Sequence, residues 1–402
     1  MAGDPAATLA LLDEAESAAT VAGAGGRYFG FVIGGSYPVA VAANWLATAW
    51  DQDAALPVMS PVAARLHEVV TGRLTELFGL PAGTAAVFVS GASMANTTAL
   101  APARDHQLAQ AGWDVQADGL FGAPELTLVI GEYAHSTMLK ALGLVGLGRN
   151  RVRRVPADEQ GRMRADCLPE DVTGPVVICA QAGEVNTGAF DPFPAIVEWA
   201  RRRQAWVHVD GAFGLWALTD PSRSHLTAGL ADADSWATDG HKWLNVPYDC
   251  GIALVRRPGD LRRSHGRSLP APDTGFEATN HTPQSSQRAR QVEVWAVLRT
   301  LGRQGVTDLI TRTCRHAQTM SAYLGSDTNA AVDHLQFIHV ERLSCRTAEH
   351  GARGDVELRA MALAHDRHPS EPSSGKRARD VGARAEIVER VKAVIDPHDG
   401  DP

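Results

Sequence analysis

From about residue 85 onward, the apolar residues of this chain gather into short continuous runs rather than an alternating pattern. AAVFVS (85–90), LTLVI (126–130), PVVICAQ (175–181), AWVHVD (205–210), SWATD (235–239) and GIALVR (251–256) each read as a strand. Between them, the stretches from Met94 to about Gln110, from about Ser136 to Leu144 and over 194–204 carry helical periodicity. Continuous apolar strands alternating with helices predict an α/β fold, with a mostly parallel sheet covered by helices on both faces. Ligands of such sheets sit outside the carboxyl ends of the strands. The polar residues that follow each strand are therefore where chemistry is expected.

The flanking regions read differently. Residues 259–285 are polar and rich in Pro and Gly, which predicts a long surface loop, and 288–324 return to helical periodicity with glycine breaks. Beyond Leu324 the chain is charged, HPSEPSSG has the composition of a disordered stretch, and AEIVERVKAVI (385–395) fits one last amphipathic helix. No domain core can be assembled from 325–402. The expected organisation is an N-terminal segment with dimer contacts (1–58), a large cofactor-binding domain (59–300) and a C-terminal region (301–402) that is divergent or incomplete after about 324.

Composition narrows the classes. The 402 residues suit one large and one small domain, 45% hydrophobic and 21% charged content suits a soluble globular protein, and a formal net charge of −8 gives no general attraction to nucleic acid or anionic membrane. The basic runs RNRVRR (149–154) and RRR (201–203) flank apolar strands and read as solvated edges. Cys167, Cys179, Cys250, Cys314 and Cys345 show no CxxC spacing, which argues against a disulfide framework or a zinc site and for a reducing compartment. The N-terminus carries Asp4, Asp13 and Glu14 without a basic region, a poor secretory signal, and no uncharged apolar run is long enough to span a bilayer. A cytoplasmic protein is expected.

Three constellations carry candidate chemistry. Ser90-Gly91-Ala92-Ser93 is a tight turn entering a helix, which can present N–H groups and hydroxyls to an anion or can be an ordinary serine-capped start. Gly91-x-Ser93-x-Ala95 also approximates the nucleophile elbow of α/β-hydrolases, with Asp210 and His241 following in Ser…Asp…His order. Against this, alanine replaces the last glycine and no HGGG segment is present. In HVDGAFG, His208 and Asp210 share one strand face. With His241 they form a weakly diagnostic metal set, or Asp210 alone can hold a protonated ring nitrogen. In DGHKWL, Lys242 stands between two buried runs, where a desolvated lysine favours its neutral, nucleophilic amine. An anion turn, a strand-end aspartate and a lysine match a phosphate, a ring nitrogen and an aldehyde, which pyridoxal 5'-phosphate carries together.

On HVDGAFGLWAL (208–218), ADSWATDGHKWLNVPYDCGIALV (233–255), GGSYPVAVAANWLATAWDQDAALPVMSP (34–61) and QRARQVEVWAVLRTLGRQGV (287–306), the chain resembles the pyridoxal-phosphate-dependent group II amino-acid decarboxylases, the aromatic-amino-acid and glutamate decarboxylase group. The resemblance covers most of residues 25–324. It implies the type I aminotransferase-like fold, a homodimer with the active site at the subunit interface, and a small-molecule L-amino-acid substrate that loses CO2 to give the amine. By the same resemblance Lys242 matches the Schiff-base lysine, Asp210 the partner of the pyridine nitrogen, and His135 the histidine stacked on the ring. Ala92 and Ser93 match the phosphate turn, Asp239 and His241 further phosphate-side contacts, Ala212 the small residue under the ring, and Asn186 a residue of the loop contacting the cofactor.

Two departures bear on the outcome. The family carries a loop tyrosine implicated in protonating the carbanion. Here Ser268 falls at that place, no tyrosine lies between Tyr248 and Tyr323, and His281 or Ser268 are the candidate substitutes. Slow protonation would favour aldehyde formation, and loss of the site would leave an inert relative. The family's small α/β domain, with its arginine-containing strand, is not found after Leu324.

Overall fold

The computed structural model describes residues 4–25, 28, 30–266, 276–325, 330–332 and 343–345. Helices α1 (Pro5–Leu11), α2 (Pro38–Trp50) and α3 (Pro61–Leu77) precede the sheet-forming stretch. That stretch contains β1 (Ala85–Val89), α4 (Ala92–Gln110), α5 (Val115–Asp118), β2 (Thr127–Gly131), α6 (Ser136–Leu144), β3 (Val152–Val155), β4 (Val176–Gln181) and α7 (Phe193–Arg203). It continues through β5 (Trp206–Asp210), α8 (Ser224–Thr227), β6 (Ser235–Asp239), β7 (Gly251–Val255) and α9 (Pro258–His265). The 35-residue α10 (Gln291–Gly325) follows, bent at Gly302, and then a short antiparallel pair, β8 (Ala330–Val332) with β9 (Leu343–Cys345).

The main sheet has seven strands in the order β1-β7-β6-β5-β4-β2-β3. Only β7 is antiparallel to its neighbours, pairing β1 on one side and β6 on the other. Apart from the edge strand β3, the strands are buried on both faces, which is why the sequence shows apolar runs rather than alternation. Successive residues still separate cleanly: Val176, Ile178 and Ala180 of β4 enter one core with Phe193, Trp199 and Val297, while Val177 and Cys179 enter the other with Ala99, Leu142 and Leu261. The parallel strands β1, β2, β4, β5 and β6 end on one edge, and that edge is the site.

Three expectations change. The stretch 259–285 is not a continuous surface loop, because it opens with α9, which buries Leu261 against α4 and closes on Arg262, Arg263 and His265, cations suited to a helix C-terminus. The anion turn is not serine-capped: Gly91 is the N-cap of α4, and the first helical N–H, that of Ala92, goes to the Asp239 carboxylate instead. The run 149–154 does not flank a strand but enters one, since Arg153 and Arg154 lie in β3, the edge strand, with their side chains outward. The expected domain boundary at 300/301 falls inside α10, next to its bend. Ser268 and residues 385–395 lie outside the described residues.

Candidate active site

A cleft of about 530 Å³ opens at the carboxyl edge of the sheet, the size of a small-molecule site. It gathers Gly91, Ala92 and Ser93 after β1, His135 and Thr137 after β2, Gln181 at the end of β4, Asp210 and Ala212 at the end of β5, and Asp239, His241 and Lys242 after β6. Eight of the nine candidate residues thus meet in one place, although they span 150 positions of sequence between Ala92 and Lys242.

Asp210, largely buried, closes the floor. Its Oδ1 accepts from the Ala212 N–H at 3.1 Å and its Oδ2 from Asn96 Nδ2 at 3.1 Å. Both oxygens meet N–H donors, an arrangement suited to an anionic carboxylate. Ala212 lines the cleft beside it. The His135 ring is fixed through Nδ1, which accepts from the Thr137 N–H at 3.3 Å and lies 2.7 Å from the Thr137 hydroxyl. Its backbone N–H donates to Gln181 Oε1 at 3.1 Å.

Lys242 is not the lone desolvated amine that its sequence context suggests. Its Nζ lies 3.1 Å from Asp239 Oδ2, so a carboxylate balances its charge. Asp239 Oδ1 in turn accepts the Ala92 N–H at 2.6 Å and sits 3.6 Å from His241 Nε2. Burial pushes the Asp239 carboxyl above the ordinary range, against the opposing pull of Lys242 and His241. Burial lowers His241, with Asp239 opposing it. Because Asp239 takes the Ala92 N–H, Ser93 is the residue of the turn left to meet an anion at the start of this 19-residue helix.

Two glycines let these parts approach. A Cβ at Gly34 would lie 2.1 Å from the Lys242 carbonyl oxygen and 2.7 Å from that of His241, so the N-terminal segment is pressed directly onto the lysine loop. A Cβ at Gly251 would lie 2.4–2.6 Å from the Gly91 backbone, so β7 can pass the anion turn only as glycine.

Some placements differ from expectation. Asn186 is not among the residues lining the cleft: its amide donates to Glu184 Oε1 and its N–H to Glu184 Oε2, each at 2.8 Å. His281 is stacked on Phe276 with Nδ1 2.7 Å from the Glu277 carbonyl, and it also lies off the cleft lining. The hydrolase triad is not assembled, since Asp210 serves Asn96 and Ala212 while His241 Nδ1 accepts the Cys250 N–H at 3.1 Å. No group of three or more His, Cys, Asp or Glu side chains among the described residues is arranged to hold a metal ion.

Sequence reasoning missed four contributors. Gln181 ends a strand, and the strand-end rule applied to PVVICAQ points to it. Asn96 lies one turn into α4, on the face of Ala92 and Ser93, so helical spacing was its signal. Phe31 and Val32 also line the cleft, both at positive φ (59° and 53°), a conformation rare for a β-branched residue and one that clusters at functional sites. Nothing in the local sequence announced them.

Residues 25–336 match the pyridoxal-dependent decarboxylase conserved domain, and the chain belongs to that family. It is 32% identical over 288 residues to L-2,4-diaminobutyrate decarboxylase of Rhizobium meliloti (strain 1021), an alignment covering 68% of this chain and 54% of the relative. It is 29% identical over 299 residues to cysteine sulfinic acid decarboxylase of Mus musculus, covering 70% and 59%. Against aromatic-L-amino-acid decarboxylase of Bacillus atrophaeus it is 26% identical over 314 residues, covering 74% and 63%. The chain therefore spans little more than half the length of these curated relatives. Among solved structures, mouse CSAD in apo form superposes with a TM-score of 0.77 at 26% identity, covering 84% of this chain and 72% of that one. Oryza sativa TDC with PLP and tryptamine matches in fold, with a TM-score of 0.75 at 22% identity, covering 83% and 72%. The architecture is the type I fold of pyridoxal-phosphate enzymes expected from the sequence.

Proposed function

We propose that this chain is a pyridoxal-phosphate-dependent carboxy-lyase that decarboxylates an L-amino acid. The observation that supports the reading is the convergence, in one strand-end cleft, of a buried carboxylate, a lysine, a histidine, a small residue, and a helix start. These residues fit the cofactor: Ser93 and the start of α4 for the phosphate, Asp210 for the pyridine nitrogen, His135 and Ala212 for the two ring faces, and Lys242 for the aldehyde. When bound, pyridoxal phosphate supplies an electron sink for the charge left on the α-carbon as CO2 departs. Asp210 would hold a proton on the ring nitrogen, and Lys242, whose Nζ lies 3.1 Å from Asp239 Oδ2, would supply the tethering amine. Phe31, Val32, Val185 and Phe213 give the remaining wall an apolar character that limits water near the reacting carbon.

The side-chain class is left to a substrate panel: 2,4-diaminobutyrate, cysteine sulfinate, glutamate and an aromatic amino acid. The displacement of His281 from the cleft, with Ser268 at the place of the family tyrosine, favours a second outcome, release of an aldehyde through slow protonation. An inert relative is the reading left if neither product forms. A homodimer is proposed from the exposed Leu12, Trp45, Leu46 and Trp50 of the N-terminal segment, an apolar surface suited to a second copy of the chain. The free thiols Cys167, Cys179, Cys250 and Cys314 fit a reducing, cytoplasmic setting, and no helix among the described residues is long and apolar enough to cross a membrane. Neither a nucleic-acid nor a membrane partner forms part of this reading.

The test is the visible spectrum of the protein loaded with pyridoxal phosphate, beside Lys242→Ala, followed by assay of amine, aldehyde and CO2. A visible band dependent on Lys242, with turnover falling about a thousand-fold or more in the variant, is expected. An unaltered spectrum in Lys242→Ala would sink the assignment.

A further inference from the structure

Asp210 is the end of a longer buried chain of hydrogen bonds. Trp206 Nε1 lies 2.8 Å from Ser235 Oγ, Ser235 Oγ 2.8 Å from His208 Nδ1, His208 Nε2 2.9 Å from Asn96 Oδ1, and Asn96 Nδ2 3.1 Å from Asp210 Oδ2. Asn96, His208 and Ser235 are fully buried and Trp206 nearly so.

The direction of every link follows from what each group can do. An indole N–H only donates, so Ser235 Oγ accepts from Trp206 and keeps its own proton free for His208 Nδ1, where it goes once the His208 proton is placed on Nε2. A carboxylate only accepts, so the Asn96 NH2 must face Asp210, which leaves Asn96 Oδ1 to accept from His208 Nε2–H. The opposite tautomer would set a bare His208 Nε2 against Asn96 Oδ1. Flipping the amide to repair that contact would turn the oxygen onto the Asp210 carboxylate. Either fault leaves a buried polar pair unsatisfied, at a cost of roughly 1–3 kcal/mol. The titratable groups facing His208 are Asp210 on its own strand and Cys179 across on β4, whose thiol burial pushes up. Burial holds His208 itself down to about 4 despite the upward pull of Asp210, so the imidazole is neutral at ordinary pH.

We propose that Asn96, His208 and Ser235 are positioning residues, forming a one-way hydrogen-bond chain with His208 as the neutral Nε2–H tautomer that holds the Asp210 carboxylate in a single orientation. The proposal rests on the function proposed above. It adds a geometric role for α4, which starts at the anion turn and, one turn later, presents Asn96 to Asp210. One helix thus ties the position of the anion turn to that of the Asp210 carboxylate.

The tautomer is tested first, without cofactor, in the full-length protein labelled with 15N-histidine, with the His208 signal assigned by its loss in His208→Gln. A single Nε2–H pattern that does not titrate across the neutral range is expected, and Ser235→Ala should keep that tautomer while shifting the Nδ1 signal toward that of an unbonded ring nitrogen, because the donor to Nδ1 is gone. A Nδ1–H pattern or a charged ring in the wild type overturns the proposal. The second test uses Asn96→Asp, which keeps the shape and removes the donor, in the loaded enzyme. Its Lys242-dependent band should persist, the pH midpoint of that band should shift, and kcat should fall about ten-fold or more, the scale seen when groups that orient a ligand are removed. An unchanged midpoint and kcat would overturn the role. Absence of the band in the wild type, with the tautomer as expected, would strike the function proposed above and leave the chain of hydrogen bonds standing.

Discussion

Asp210 and Asp239 end neighbouring parallel strands, both are almost fully buried, and both line the cleft. They are held in opposite ways. Asp210 is gripped by neutral donors, an amide side chain and a backbone N–H, and among the described residues no cation is paired with it. Asp239 already has its cation, Lys242, with the Ala92 N–H on its other oxygen. A carboxylate surrounded by neutral donors is oriented yet still has charge to offer an incoming cation. One that is already ion-paired organises its neighbours instead. The same residue type at the same topological position thus serves a ligand in one case and the architecture around the lysine in the other.

The contrast is open to direct attack. Asp210→Asn, which keeps the shape and removes the charge, should cut turnover on the order of 10²–10³-fold in steady-state assays, while the thermal midpoint changes little. Turnover within about ten-fold of wild type would mean that Asp210 offers no charge to the ligand. Asp239→Asn leaves Ala92 an acceptor and deprives Lys242 of its partner. Its expected effect is about ten-fold faster cofactor release, the scale of one charge-assisted hydrogen bond, and a loss as large as that of Asp210→Asn would erase the distinction. Gly251→Ala leaves both carboxylates in place and drives a methyl into the Gly91 backbone. A loss of about 1–3 kcal/mol is expected in urea unfolding, with weakened cofactor binding.

The smallest effect separates the cleft from the acid stability of the fold. His67, buried and stacked 3.7 Å from Phe276, is held down to about 3 by burial, with His281 adding to the shift. Its folded value lies below the unfolded one, so its contribution is present above about 6.5 and is lost as the pH falls toward 3. His208, at about 4, acts with the same sign. Asp191, which burial raises to about 6, works the other way: its contribution is complete below the ordinary carboxylate range and is lost as the pH rises through about 6. His67→Phe should therefore flatten the decline in the urea midpoint between about pH 6.5 and 4, without altering turnover at neutral pH.

Six of the seven strands of the main sheet were legible because burial on both faces writes itself as apolar runs, and the strand-end rule then led from those runs to Asp210, Asp239 and Lys242; the edge strand β3 was not, because its Arg153 and Arg154 are exposed. What escaped the sequence was held by contacts rather than by pattern. Helix α9 looks like loop because Leu261 is its one buried apolar side chain, while buried Asp260 is stabilised by Arg257 at 2.7 Å and His106 at 3.3 Å. Lys242 looked solitary because its partner lies three residues back across a turn. Phe31 and Val32 reach the cleft from a segment far upstream of the sheet, through backbone angles that no residue preference encodes.

The antiparallel strand β7 also sets when the site comes into being. It is wedged between β1 and β6, and its Gly251 rests on the Gly91 turn. During synthesis the anion turn leaves the ribosome early, yet it has no wall until β7 emerges and docks. Until then β1 is cut off from the remainder of the sheet, and pairing so distant in sequence is slow to form. Cofactor capture in the cell is in this sense a timestamp: a chain that holds pyridoxal phosphate has already closed its sheet.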